Sequence, residues 1–108
     1  MISEDVVKSV LSAVDHEELI EHCADLVRIN SVWDPASGSS EQQAAAHVAN
    51  WAEHKGFHVQ VDQVAPGRPN VVVTWQAGKG DRKLMFEGHT DVLTAGDVNA
   101  WTFVPFGA

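Results

Sequence analysis

The sequence predicts an α/β domain, helices first and strands after. Apolar residues recur at helical spacing through three stretches of the first half. The second half carries Val71-Val72-Val73, a continuous β-branched run of the kind found in strands buried on both faces. Between the apolar stretches, Pro66-Gly67-Arg68-Pro69 and Gly78-Lys79-Gly80-Asp81 have the composition of turns.

The elements follow in order. Val6, Val7, Val10 and Leu11 give a helix over residues 3 to 13. Asp15 then has the character of an N-cap, with Glu18 three residues on to complete a capping box. Leu19, Ile20, Cys23, Leu26 and Val27 form the stripe of that second helix, which fades near Asn30-Ser31. Residues 34 to 40 are loop by composition, and Ser40 can cap a third helix with Gln43 reaching back. Ala44, Val48, Trp51 and Ala52 make its stripe, and Gly56 is a natural stop. Phe57, Val59 and Val61 alternate with polar residues, as in a half-exposed strand. Val71 to Val73 form a second strand and Leu84 to Phe86 a third. A strand run of this kind needs cover on both faces and neighbours at both edges. Residues 1–108 are therefore expected to be an incomplete domain with open edges, unstable or aggregation-prone alone.

Composition narrows the function classes. With 108 residues, 44% hydrophobic and 20% charged, the chain is an ordinary globular domain with a modest core, not a disordered one. No apolar run approaches the ~20 residues of a membrane span. A formal net charge of −8 and the lack of a Lys/Arg cluster speak against a nucleic-acid partner. The opening Met1-Ile2-Ser3-Glu4-Asp5 lacks the basic-then-apolar pattern of a signal peptide, so a cytoplasmic location is the default. Cys23, the single cysteine, excludes an internal disulfide and reads as a small core residue.

The residues with chemistry lie at Gly88-His89-Thr90-Asp91-Val92. In an extended chain, side chains two apart share a side, so His89 and Asp91 can face one pocket. A neutral imidazole is a good zinc ligand, and a neighbouring carboxylate can hold its other ring nitrogen and fix the tautomer. Gly88 would allow close approach of backbone or ligand.

The remaining histidines invite plainer readings. His16 and His22 suit surface or capping positions, and His47 a helix face or interhelix position near Trp51. His54 and His58 have zinc spacing for a helix, but Gly56 splits them. Trp51 and Trp75 fall in element patterns and read as core, while Trp101 stays ambiguous. Asp97 reads equally as a turn residue or a support for the site loop. Gly78-Lys79-Gly80 lacks the rest of a phosphate loop, and no G-x-S-x-G elbow is present.

Leu84-Met85-Phe86-Glu87-Gly88-His89-Thr90-Asp91-Val92, then Gly96-Asp97, Trp101 and Pro105-Phe106-Gly107-Ala108, resembles the first metal-binding segment of a metallohydrolase family. That family includes acetylornithine deacetylase, succinyl-diaminopimelate desuccinylase, aminoacylase and glutamate carboxypeptidase. Gly56-Phe57-His58-Val59 and Asn70-Val71-Val72 also stand in the family's order. The resemblance implies that residues 1–108 are the N-terminal portion of a mixed-sheet, helix-flanked, zinc-peptidase-like catalytic domain. The other catalytic segments and a dimerisation domain would lie outside them.

The resemblance further implies that His89 is a ligand of one of two zinc ions, with cobalt as an alternative, and that Asp91 is the catalytic-site carboxylate orienting it. The reaction would be hydrolysis of an amide in an N-acylated amino acid or small peptide, in a full-length protein that can be a homodimer. One histidine cannot hold a catalytic zinc, which takes three protein ligands in single-metal sites, so these residues alone are expected to be inactive. Thr94 and Val104 depart from the family pattern and weaken assignment to a substrate subgroup. A dipeptidase or carboxypeptidase of the same family and a non-catalytic α/β binding or regulatory fragment are the competing readings.

Overall fold

The computed structural model describes all residues, Met1–Ala108. Three helices come first: α1 (Glu4–Ser12), α2 (His16–Arg28) and α3 (Gln42–His54). Strands β1 (His58–Ala65) and β2 (Arg68–Thr74) follow, and a 3-10 turn at Val98–Ala100 lies near the end.

The helix starts are set by short polar side chains. Ser3 Oγ accepts from the Val6 amide at 3.3 Å, and Asp15 Oδ1 accepts from the Glu18 amide at 3.0 Å. Each satisfies one of the amides that a first turn leaves without a helical partner. The capping box predicted at Asp15 is only half built, because the Glu18 carboxylate turns to His22 and Lys55 instead. Likewise Ser40 Oγ receives the Gln42 amide at 3.3 Å, but the N-cap of α3 is Glu41, which makes no side-chain cap bond. Gly56 ends α3 as expected. It sits at φ +84°, and the Phe57 amide reaches back to the Ala52 carbonyl at 3.0 Å.

β1 and β2 form one antiparallel hairpin, with Val59 opposite Val73 and Val61 opposite Val71. An irregularity between Gln63 and Ala65 shifts the register just before the Pro66-Gly67 turn. α3 lies across this hairpin. Its buried residues are Ala44, Ala45, Ala49 and Ala52, whose small side chains let helix and strands approach closely. Val32 and Pro69 are the other buried apolar residues. An aromatic row continues the packing: His22 meets Trp51 edge-on at 5.2 Å, Trp51 stacks on Phe57 at 6.1 Å, and Phe57 meets Trp75 edge-on at 5.5 Å.

Helices and a two-stranded sheet are compatible with the α/β class, and several expectations are corrected. Leu84 to Phe86 form no strand, because no neighbouring backbone edge pairs with them, and all three side chains are exposed. Val71 is half-buried and Val72 and Val73 are exposed, since the hairpin is covered by α3 alone. Cys23 is exposed rather than core, as are Leu19, Ile20, Leu26 and Val27 on the same helix. Trp75, at the end of β2, is also exposed, while Trp51 is half-buried. The radius of gyration, 17.3 Å, exceeds the ~13 Å of a compact domain of this length. No helix is long and apolar enough to cross a membrane.

Candidate metal-binding segment

His89 and Asp91 lie on an irregular segment between β2 and the 3-10 turn. The backbone there is fixed at two points. Val92 forms a parallel bridge with Val32, just after α2, and the Trp101 indole Nε1 donates to the Ala95 carbonyl at 2.8 Å. Asp97 proves to be a turn residue: its Oδ1 accepts the Asn99 amide at 2.9 Å and caps the 3-10 turn.

The structure brings His89 and Asp91 together without the strand geometry expected of them. His89 Nδ1 lies 2.9 Å from the Asp91 carbonyl oxygen and 3.3 Å from Asp91 Oδ1. With its proton on Nδ1, the ring donates to the Asp91 carbonyl oxygen, with the carboxylate close beside it, and the lone pair of Nε2 is left free. That is the tautomer a metal-binding histidine uses. The His89 side chain is 81% exposed, so Nε2 is open to solvent. A Cβ at Gly88 would meet nothing within 4 Å, so the close approach expected there is not made.

Behind the pair stands a group that sequence reading missed. Arg68, at the start of β2, donates to Glu41 Oε1 through Nε at 2.9 Å and also through Nη2. The guanidinium lies 4.7 Å from the centroid of the Trp33 ring. The Arg68 hydrogen bond holds the Glu41 carboxyl below its ordinary range, with the negative charge of Asp91 acting weakly the other way. The same Glu41 hydrogen bond, with smaller help from the charges of Glu41 and Asp91, raises the Arg68 pKa. Asp91 therefore faces His89 while lying in the field of Arg68. No motif announced this: Arg68 reads as a turn residue between two prolines, and Glu41 as one acid among many.

Two shallow hollows flank the segment. One is lined by Ala95, Val98, Trp101, Phe103, Val104 and Phe106. The other lies between Asn30, Val32, Asp34, Ser39, Thr94 and Phe106. Neither includes His89 or Asp91. Chemically, the segment offers one imidazole whose Nδ1 lies against Asp91 and whose Nε2 faces solvent.

The histidines elsewhere divide as follows. His54 ends α3, with Nδ1 2.7 Å from the Asn50 carbonyl oxygen, and His58 opens β1, so Gly56 splits them as the sequence predicts. His47 is an interhelix residue, as expected, facing His22 with ring centroids 6.4 Å apart. His22 departs from its surface reading, because it is half-buried between α2 and α3.

Helices beside an antiparallel hairpin are compatible with the α/β class, and on this scaffold His89 is a candidate ligand. The comparisons narrow the class. No family model matches the chain. It is 41% identical over 97 residues to succinyl-diaminopimelate desuccinylase 2 of Ruegeria sp., covering 89% of this chain and 22% of that protein. An uncharacterised metallohydrolase of Methanococcus maripaludis is 31% identical over 85% of this chain and 25% of its own length. Acetylornithine deacetylase of Vibrio cholerae is 32% identical over 68% of this chain and 18% of its own. The resemblance read from the sequence holds: the chain is related to the family of succinyl-diaminopimelate desuccinylase and acetylornithine deacetylase. It spans between about a fifth and a quarter of the length of these relatives.

Proposed function

We propose that this chain supplies the first metal-binding segment of a metal-dependent amide hydrolase acting on an N-acylated amino acid or a related small peptide. The observation that carries the reading is the His89 geometry, with Nδ1 2.9 Å from the Asp91 carbonyl oxygen and Nε2 facing solvent, on a chain related to desuccinylases and deacetylases. His89 would be a metal ligand through Nε2. Asp91 would fix the ring plane and raise its basicity. Zinc is the expected ion, with cobalt as an alternative, since both accept imidazole. Once bound, such an ion supplies Lewis acidity toward an amide carbonyl and lowers the pKa of water.

In this reading residues 1–108 are the opening part of a larger, helix-flanked, mixed-sheet catalytic domain. Supporting it are the exposed run Leu84 to Phe86, the uncovered apolar side chains of α2, and the 22% of the Ruegeria desuccinylase that the chain matches.

A segment exchange tests the proposal. Residues 1–108 replace the matching segment of the Ruegeria desuccinylase, and hydrolysis of N-succinyl and N-acetyl amino acids is followed with and without a chelator. The expected result is chelator-sensitive hydrolysis that falls to background in the His89→Ala form. A folded chimera without activity would favour the non-catalytic reading. A chimera equally active with His89→Ala would remove His89 as a ligand.

A further inference from the structure

We propose a second metal site, separate from His89, formed by His22 and Asp25 of α2 and His47 of α3. It takes a divalent transition ion, zinc above all, and ties the two helices together. One ligand atom from each of the three residues lies within 4.8 Å of the other two, and all three side chains belong to half-buried residues. His22 and Asp25 are three apart on one helix, the spacing that puts both on one face. His47 comes from α3, with its ring 6.4 Å from that of His22.

The protonation pattern favours a ligand role. His22 Nε2 lies 3.4 Å from Glu18 Oε1, one turn earlier on α2. Glu18 is itself paired with Lys55, which holds its carboxylate in place beside the ring. A carboxylate at Nε2 keeps the proton there and leaves the lone pair on Nδ1. Nδ1 is enclosed and has no hydrogen-bond partner. A buried polar atom without a partner is costly, and a metal bond would relieve it. Glu18, His22 and the ion thus form the carboxylate–imidazole–metal relay that orients ligands in known sites.

Donor choice indicates the ion. Two imidazoles and one carboxylate suit zinc, nickel or copper and suit calcium or magnesium poorly. Donor atoms around tetrahedral zinc, with bonds of about 2.0–2.2 Å, stand roughly 3.4 Å apart, so side-chain rotation alone must close the present spread. Asp25 Oδ1 is engaged by Arg28 Nη1 at 2.8 Å, which leaves Oδ2 for the ion. The Trp51 ring packs 5.2 Å from His22 and shields one side of the site. Because the ion would bind the packed helices better than separated ones, it would stabilise the α2–α3 contact by mass action.

The test uses residues 1–108 carrying His89→Ala, held dilute enough to stay monomeric, so that the proposed catalytic-segment ligand contributes nothing. Cobalt is titrated first, followed by visible absorption, and zinc is then added as competitor. The expected result is one cobalt per chain, displaced by zinc, with a raised melting temperature. Asp25→Asn and His47→Ala should each weaken binding by about tenfold or more. As a check without a destabilising variant, NMR of the unsubstituted chain with zinc should shift the ring signals of His22 and His47 and spare His16, His54 and His58. No binding by the His89→Ala chain, unchanged affinity in both ligand variants, or zinc shifts centred on the other histidines would each overturn the site. None of these outcomes depends on hydrolase activity, so this site and the proposed function stand or fall separately.

Discussion

Arg68 binds a single oxygen of Glu41 with two of its nitrogens and so joins the start of β2 to the N-cap of α3. Glu41 is only 5% exposed, and its other oxygen, Oε2, is enclosed without a partner. Removing the cation leaves a desolvated carboxylate with nothing to offset it. Arg68→Ala should therefore lower the midpoint of urea melts, more than a surface substitution elsewhere would. Arg68→Lys should recover only part of the loss, since an ammonium cannot reproduce the guanidinium fork or its stacking on Trp33.

The same pair predicts an acid-side loss of stability. The folded-state pKa of Glu41 lies below its ordinary value of 4.5, owing first to the Arg68 hydrogen bond. A depressed carboxylate contributes fully above that ordinary value and loses its contribution as pH falls through the folded value. The melting temperature should hold steady near neutrality and decline from about pH 5 downward. Glu41→Gln should flatten part of that decline. An unchanged acid limb in Glu41→Gln would show that other carboxylates govern it.

The His89–Asp91 pair predicts a graded response in the segment-exchange enzyme. Asp91→Asn still offers an oxygen to Nδ1 but no charge, so metal affinity should fall by roughly 10–100-fold. His89→Ala should lose far more. Equal effects from the two substitutions would mean that Asp91 does more than orient the ring.

Gly56 provides a purely conformational test. It adopts φ +84°, and a Cβ there would meet nothing within 4 Å. Gly56→Ala should therefore cost about 1–2 kcal/mol from backbone strain alone, without a steric clash. Gly56→Asn should cost less, because asparagine tolerates the left-handed region better.

The exposed apolar side chains predict colloidal behaviour. Ile20, Leu84, Met85, Phe86, Leu93 and Phe103 are all at least two-thirds exposed. Residues 1–108 alone should bind a hydrophobic dye and self-associate with rising concentration. A sharp, concentration-independent melt of a monomer would contradict this.

The helices and the hairpin were legible in the sequence because local chemistry decides them. Asp15 caps α2 and Gly56 ends α3 through contacts a few residues long. The strand over Leu84 to Phe86 was misread because apolar pattern is only half of a strand: the other half is a neighbouring backbone edge. Cys23 and Trp75 were placed in the core on the same assumption, that every apolar stripe finds cover. At the candidate site, His89 and Asp91 were legible as a pair from their spacing. The supporting Glu41–Arg68–Trp33 group was not, because long-range partners leave no local pattern. His22 was missed for the same reason, since its neighbours Trp51 and His47 lie on another helix.

The Val32–Val92 bridge has a kinetic meaning. It is a lone backbone link between residues sixty positions apart, whereas the helices and hairpin close through nearby contacts. Closing so long a loop costs entropy that one bridge repays poorly. The segment carrying His89 should therefore dock last during folding and detach first, as a separate unit with little hydrogen-exchange protection. The hairpin would hold its amides while the ligand-bearing strip opens and closes on its own.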